Sequence, residues 1–289
     1  MLDLHTHLWP HEPGTRLPSY DELGHWCERA AAAGVQQLAV TEHSHRFDEI
    51  ARVARASWTG DGSPALRAAA DHVWDVEGGA HLDDYVELLT TAQRRGLPLL
   101  VGLEVDHLPG ANDAVAEVLT AYPFDVLLGS VHWLGSWLFD AYDTPVFAAE
   151  WDSRSVDDVW SAYVDAVDDL ARSGHVDVIA HADVIKVAGR RPADLAGFED
   201  RLGAALARSD VAVEVSSAGW RKPINEPYPS MRLLQSLRDA GVPLTTASDA
   251  HRVEQLGYRF DELYAVLARL GIDTIATFER RSRCTFRAG

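Results

Sequence analysis

PLLVGLEVD, residues 98–106, is an apolar run that ends on the acidic Glu104 and Asp106. Its aliphatic residues are too few for a buried helix and are bounded by turn residues, so residues 98–105 read as a strand. Comparable runs lie at residues 2–5, 35–40, 124–130, 176–180, 211–215 and 243–247. Longer amphipathic segments alternate with these strands, which is the pattern of βα units wound around a parallel sheet. Helix punctuation agrees. Ser19 and Glu22 form a capping-box pattern opening a helix that Gly34 ends, and Ser155 with Asp158 opens another that runs toward Gly174. Helices over residues 81–95 and 230–240 stop at Gly96 and Gly241, just before strands. Residues 46–79, which include SWTGDGSP, are too long and irregular for a simple βα loop and read as an insertion near the barrel mouth.

The chain has 289 residues, 47% of them hydrophobic, enough for one large core, so residues 1–289 are expected to form a single domain. Its 44 acidic and 26 basic side chains give a formal charge of −18, which repels polyanions and supplies no basic stripe. No nucleic acid partner is expected. A small phosphorylated substrate remains compatible with this charge, because bound divalent cations reverse the local field. Cys27 and Cys284 fit no CxxC pattern and read as reduced thiols. MLDLHTHLWP has neither a basic segment nor a long apolar run, and no uncharged stretch reaches the roughly eighteen residues of a membrane span. The expectation is a soluble, cytoplasmic enzyme with no membrane partner.

The residues that carry chemistry repeat one topological position. In His5-Thr6-His7, at the end of the first strand, alternation sends side chains two apart to the same side, letting both imidazoles reach one cation. His11 follows in LWPHEPG, His43 ends the second strand in VTEH, and Glu104 ends the third. His132 follows the fourth in GSVH, His181 ends the fifth in VIAH, and Asp249 with His251 follows the seventh in TTASDAH. Loops leaving the C-terminal ends of parallel barrel strands converge on one mouth. A lone histidine there is ordinarily a hydrogen-bonded structural residue, but seven histidines and two carboxylates at the same position make a metal site. Imidazole and carboxylate without thiolate suit Zn, Mn or Fe, whereas magnesium prefers an almost all-oxygen shell. His25, His72, His81 and His175 fall elsewhere and read as surface or structural residues. His45 and His107 sit near the mouth, on strands that already supply His43 and Glu104.

The ordered motifs DLHTH, TEHS, GLEVD, SVHW, AHAD and SDAH, spread from residue 3 to residue 251, resemble those of the polymerase-and-histidinol-phosphatase (PHP) family. The resemblance implies an α/β fold, a distorted (β/α)7 barrel with its metal site at the C-terminal mouth, and two or three divalent ions. It assigns a first ion to His5, His7, Glu104 and Asp249, a second to Glu104, His132 and His181, and a third to His11, His43 and His251. Glu104 then bridges two ions, and Glu104, Asp249 and His251 are the expected catalytic positions. Within the family, SSAGWRKPINEPYPS followed by PLTTASDAH resembles the stand-alone histidinol-phosphate phosphatases, which implies hydrolysis of L-histidinol phosphate to L-histidinol and phosphate. The insertion at 46–79 has no evident match there.

The expected nucleophile is a hydroxide bridging the metals, with no phosphoenzyme. Arg221, whose planar fork matches two phosphate oxygens, and Lys186 are the expected phosphate partners. Trp133, Trp220 and Glu226 are candidate neighbours for the substrate's ammonium and imidazole. Three alternatives stand beside this reading: a PHP-type enzyme for another small phosphate ester or nucleotide, a noncatalytic polymerase-associated module, and a metal-dependent amide hydrolase.

Overall fold

The apolar run that ends in Glu104 is a strand with all eight residues buried, as expected where helices cover one face and a barrel core fills the other. It is the third of seven: β1 Leu2–Asp3, β2 Gln37–Val40, β3 Leu99–Asp106, β4 Val126–Ser130, β5 Val178–Ile179, β6 Ala212–Ser216 and β7 Leu244–Ala247. They belong to a computed structural model describing residues 1–57 and 62–288. The strands pair in parallel and in sequence order. The two outer strands then meet. Leu4 N–H donates to Thr246 O at 3.0 Å and His7 N–H to Ala250 O at 2.7 Å, with Thr6 and Ala250 forming a parallel bridge. The result is a nearly closed seven-stranded barrel, as the alternation of runs predicts. The regular pairing of β1 and β5 is shorter than the apolar runs that encode them, and the histidines His5, His7 and His181 lie beyond it.

Ten helices are described: α1 Tyr20–Ala32, α2 Asp48–Ser57, α3 Pro64–Glu77, α4 Leu82–Arg94, α5 Asn112–Leu119, α6 Pro145–Ser153, α7 Val156–Arg172, α8 Leu195–Ala207, α9 Met231–Asp239 and α10 Phe260–Arg269. The capping box at α1 is formed in both directions between Ser19 and Glu22. Ser155 caps α7 by accepting from Asp158 N–H. Gly34 (φ +80°) and Gly96 (φ +98°) take the left-handed conformation that ends α1 and α4.

The stretch at 46–79 is ordered differently from the irregular insertion expected of it. It holds two helices, α2 and α3, the latter opened by Ser63 accepting from Leu66 N–H, with Pro64 in the first turn. Its base is closed by Ala80 N–H to Arg46 O at 3.0 Å and Asp48 N–H to Ala80 O at 2.9 Å. The middle of SWTGDGSP, residues 58–61, lies outside the described residues. The position near the mouth is as expected, since α3 delivers Glu77 to within 3.5 Å of both His11 and His45.

Two antiparallel hairpins add to the expected elements. Trp133–Leu134 pairs with Trp137–Leu138 directly after His132. Thr274–Glu279 pairs with Ser282–Arg287 and floors the opposite end of the barrel. There Arg281 N–H donates to Asp125 O at 2.8 Å, Arg281 pairs with Asp177 at 3.1 Å, and Arg283 pairs with Asp210 at 2.8 Å. These three aspartates immediately precede β4, β5 and the β6 segment, so the hairpin fastens to N-terminal strand ends while Ile275, Ala276 and Phe278 are buried beneath it. Cys27 is buried and Cys284 exposed, both as free thiols. Among the described residues no helix is long and apolar enough to cross a membrane.

Candidate metal centre

Glu104, fully buried on β3, is the hub of the barrel mouth. Its Oε1 lies 3.1 Å from His181 Nε2 and 3.5 Å from His132 Nε2. Its Oε2 lies 2.7 Å from His43 Nδ1, 3.4 Å from His5 Nε2 and 3.7 Å from His7 Nε2. Asp249 Oδ1 faces the same space, 3.4 Å from His7 Nε2, 3.6 Å from His251 Nδ1 and 3.9 Å from His5 Nε2. Two pairs of imidazole nitrogens also approach each other. His132 Nε2 is 3.4 Å from His181 Nε2, and His43 Nε2 is 3.4 Å from His251 Nε2.

Four triads bring one ligand atom each within 4.8 Å of the others: His5–His7–Asp249, His5–Glu104–His181, His43–Glu104–His132 and His7–His43–His251. Eight of the nine residues singled out in the sequence therefore converge, with Glu104 shared between two triads. The same distances bring Glu104 Oε1, His132 Nε2 and His181 Nε2 within 3.5 Å of one another, the grouping expected for a second ion. His43 with His251 groups with His7 rather than with His11. His11 sits at the rim, its side chain 56% exposed and its Nδ1 3.5 Å from Glu77 Oε2. Its ring centre is still only 4.5 Å from that of His251. A loop residue has no strand to fix its direction, which is why it alone stands apart.

The donor set fits divalent cations. His5 Nε2, both nitrogens of His7, Glu104 Oε2 and His43 Nδ1 are buried without a hydrogen-bond partner among the described residues. His43 Nδ1 and Glu104 Oε2 are close enough for a hydrogen bond but are not aligned as one. Each such orphaned group costs about 1–3 kcal/mol when nothing satisfies it, and so many aimed at one space make sense where ions fill it. Burial raises the Glu104 carboxyl, but His5, His43, His132 and His181 outweigh it and hold the group well below the usual carboxylate range. Burial, then His7, holds His43 and His251 well below the ordinary imidazole value, leaving their lone pairs free. Burial lowers His132, yet Glu104 and the hydrogen bond to Asp106 lift it to about 10.

Behind these residues stands a ring of acids that sequence reasoning missed. Glu214 Oε2, on β6, lies 2.8 Å from His5 Nδ1, and Asp106 Oδ1 lies 2.8 Å from His132 Nδ1. A carboxylate can only accept, so each Nδ1 carries a proton and each Nε2 is the atom left to face the cluster. Asp106 also reaches His45 Nδ1 at 3.4 Å. Glu42 accepts from the backbone N–H groups of Leu8 and Trp9, fixing the loop after His7. Fully buried Arg46 ties Glu42 to Glu77, at 3.6 and 3.0 Å. His107 turns instead to Asp169 at 2.9 Å. The available signal was an acid inside an apolar run, as in AVEVS.

Two backbone positions are unusual. His181 (φ +27°) and Asp249 (φ +51°) occupy a region that non-glycine residues rarely visit and that clusters at functional sites. Arg221 fastens the second, donating from Nη1 to Ser248 O at 2.9 Å and from Nη2 to Asp249 O at 2.7 Å. Two of its N–H groups are thus engaged by backbone carbonyls. Lys186 is 1% exposed and donates to Asp183 Oδ2 and Pro227 O, both at 2.8 Å. Neither residue lines the mouth cavity, a hollow of about 460 Å³ into which Asp249, His43, His132, His181 and His251 open. Lys222 does line it, as does Trp133. Trp220 instead stacks under Arg259, and Glu226 pairs with Arg191 at 2.8 Å. Hollows of 650 and 780 Å³ elsewhere are larger but contain none of the clustered ligands.

The PHP domain model matches residues 4–218. A relative from Deinococcus radiodurans named "Probable histidinol-phosphatase" is 30% identical over 281 residues, covering 96% of this chain and 95% of its own. A Schizosaccharomyces pombe relative of the same name is 24% identical over 267 residues, 88% of this chain and 82% of its own. Among solved structures, histidinol phosphate phosphatase from Lactococcus lactis, complexed with zinc, L-histidinol and phosphate, superposes with a TM-score of 0.68 at 17% identity, covering 98% of both chains.

Proposed function

This chain belongs to the PHP domain family, and on that premise we propose that it is a metal-dependent phosphoric monoester hydrolase that converts L-histidinol phosphate to L-histidinol and phosphate. The observation that carries the reading is the buried Glu104, faced by five imidazoles whose ligand atoms are in part unpartnered, beneath a cavity open to a small substrate. The name shared by the two relatives, and the histidinol and phosphate in the Lactococcus structure, support the substrate.

In this proposal residues 1–289 act as one domain and hold two or three ions of Zn, Mn or Fe. Glu104 is the common ligand. His5, His7 and Asp249 would serve one ion, His132 and His181 another, and His43 with His251 a third, to which His11 at the rim would add. Bound divalent ions supply charge neutralisation at phosphoryl oxygens and lower the pKa of water. The chain's own groups do the rest. Glu214 and Asp106 fix the imidazole tautomers of His5 and His132, so those ligands need no reorganisation when substrate arrives. Arg221 holds the backbone that aims Asp249. Lys222 gives the phosphate a mobile cation at the cavity wall. Trp133, Leu138 and Phe147 exclude water around the organic part of the substrate.

The test is phosphate release from L-histidinol phosphate by metal-reconstituted protein, set against nucleotide and sugar phosphates and against His5→Ala. A preference for histidinol phosphate that His5→Ala abolishes is the expected result. Activity confined to other esters overturns the substrate and keeps the chemistry. Full metal loading with no hydrolysis of any ester overturns both.

A further inference from the structure

The mouth cavity has a second side to its chemistry, set by the segment that follows the short tryptophan hairpin. Phe139 N–H returns to His132 O at 3.2 Å, so Asp140 emerges directly beside the histidine cluster. Asp140 lines the cavity together with the apolar Trp133, Leu138, Phe147 and Val187. Its Oδ1 is buried and has no hydrogen-bond partner among the described residues, and its charge reaches His132 only through space. Tyr228, another lining residue, also buries an unpartnered hydroxyl, its ring 6.2 Å from that of His181. An unpaired carboxylate oxygen against aromatic and aliphatic surface is costly. It is also a ready acceptor for a ligand that brings its own cation.

We propose that Asp140 is the specificity residue that receives a positively charged nitrogen on the leaving alcohol, so that the site selects phosphate monoesters of small amino- or imidazole-bearing alcohols over esters of neutral alcohols. This rests on the phosphomonoesterase reading given above. A phosphoryl group held at the histidine cluster places the first atoms of its alcohol against this wall, where Asp140 keeps a buried oxygen without a partner while Asp106 is engaged by His132 and Glu77 by His45 and Arg46. An alcohol with an ammonium or imidazolium completes the buried oxygen, and the aromatic wall packs against its planar part. A neutral alcohol leaves that oxygen desolvated and unpaired, and a nucleotide brings no cation to it, so both are selected against.

The experiment compares wild type with Asp140→Asn, which keeps the side chain's size and removes its charge. The readout is the ratio of kcat/KM for L-histidinol phosphate to kcat/KM for 4-nitrophenyl phosphate, whose alcohol part carries no cation, each at full metal loading. The ratio is expected to fall about 10- to 100-fold in the variant, the range for losing a hydrogen bond to a charged group, mainly through KM for the cationic ester. A ratio that does not move, whether both activities fall together or neither changes, overturns the proposal. Hydrolysis of neither ester by wild type sinks the phosphomonoesterase reading instead. In that case calorimetric binding of L-histidinol to the metal-loaded proteins decides Asp140: weakening of about tenfold or more in the variant supports it, and equal binding removes it.

Discussion

The 2.8 Å contact between His5 Nδ1 and Glu214 Oε2 sets which nitrogen of that imidazole is left to face the cluster. Glu214→Gln keeps the volume and an acceptor oxygen, but it removes the charge that makes His5 a stronger ligand and lets the amide rotate its donor toward Nδ1. Metal affinity is expected to fall about 10- to 100-fold, the usual effect of losing such an orienting carboxylate. Competition with a chromophoric chelator measures this, and unchanged affinity in a folded variant would show that Glu214 is only a packing residue. Glu214 also marks a limit of what a sequence discloses. His5 and Asp249 could be nominated because each ends a strand run, a position known from local pattern alone. That Glu214 belongs to His5, 209 positions away, depends on which strands become neighbours across the barrel interior. Arg221 shows a related limit: the motif shows the guanidinium but not the strained Asp249 backbone whose carbonyl it holds.

Among the elements, strands and capped helices were legible because their signals are local, with apolar runs, Ser19 and Glu22, and glycine stops. The C-terminal hairpin was not. Its turn places Arg280 (φ +47°) and Arg281 (φ +63°) in the left-handed region where Asn-Gly or Asp-Gly is the usual signature. The strain is offset by what the turn reaches, since both arginine N–H groups donate to Asp125, at 3.2 Å to its Oδ1 and 2.8 Å to its carbonyl. Asp125 also accepts from Val101 N–H at 3.0 Å and Gln93 Nε2 at 2.8 Å. One buried side chain thereby joins α4, β3 and the floor hairpin. Asp125→Ala strips the partner from the buried Val101 N–H, and the expected loss is about 1–3 kcal/mol of stability, read as a lower urea midpoint. A midpoint equal to that of wild type would mean that water replaces the carboxylate and the hairpin is held by its apolar face alone. The helices of the 46–79 insertion escape notice differently: SWTGDGSP reads as an irregular loop, whereas its Ser63-Pro64 opens the 14-residue α3.

Across the whole molecule, the two ends of the barrel have separate tasks that thermal unfolding can distinguish. Asp125 and His132 lie seven residues apart through β4, roughly 20 Å at the rise of a strand, so changes at floor and mouth should add independently. The mouth gathers buried imidazoles and carboxylates that no other protein group fully satisfies, a set the unfolded chain does not assemble. Ions that bind only the folded state stabilise it by about 2.7 kcal/mol at a hundredfold excess over Kd, which for a chain of this size raises Tm by roughly 4–5 °C. Calorimetric scans after chelation and after reloading with Zn, Mn or Fe should therefore differ by that increment. Asp125→Ala should lower both transitions and leave the increment intact, whereas Glu214→Gln should shrink the increment at fixed ion concentration. Equal transitions with and without ions in wild type would mean that the cluster compensates its own charges, and the mouth would then have to be understood as a hydrogen-bonded network rather than a metal centre.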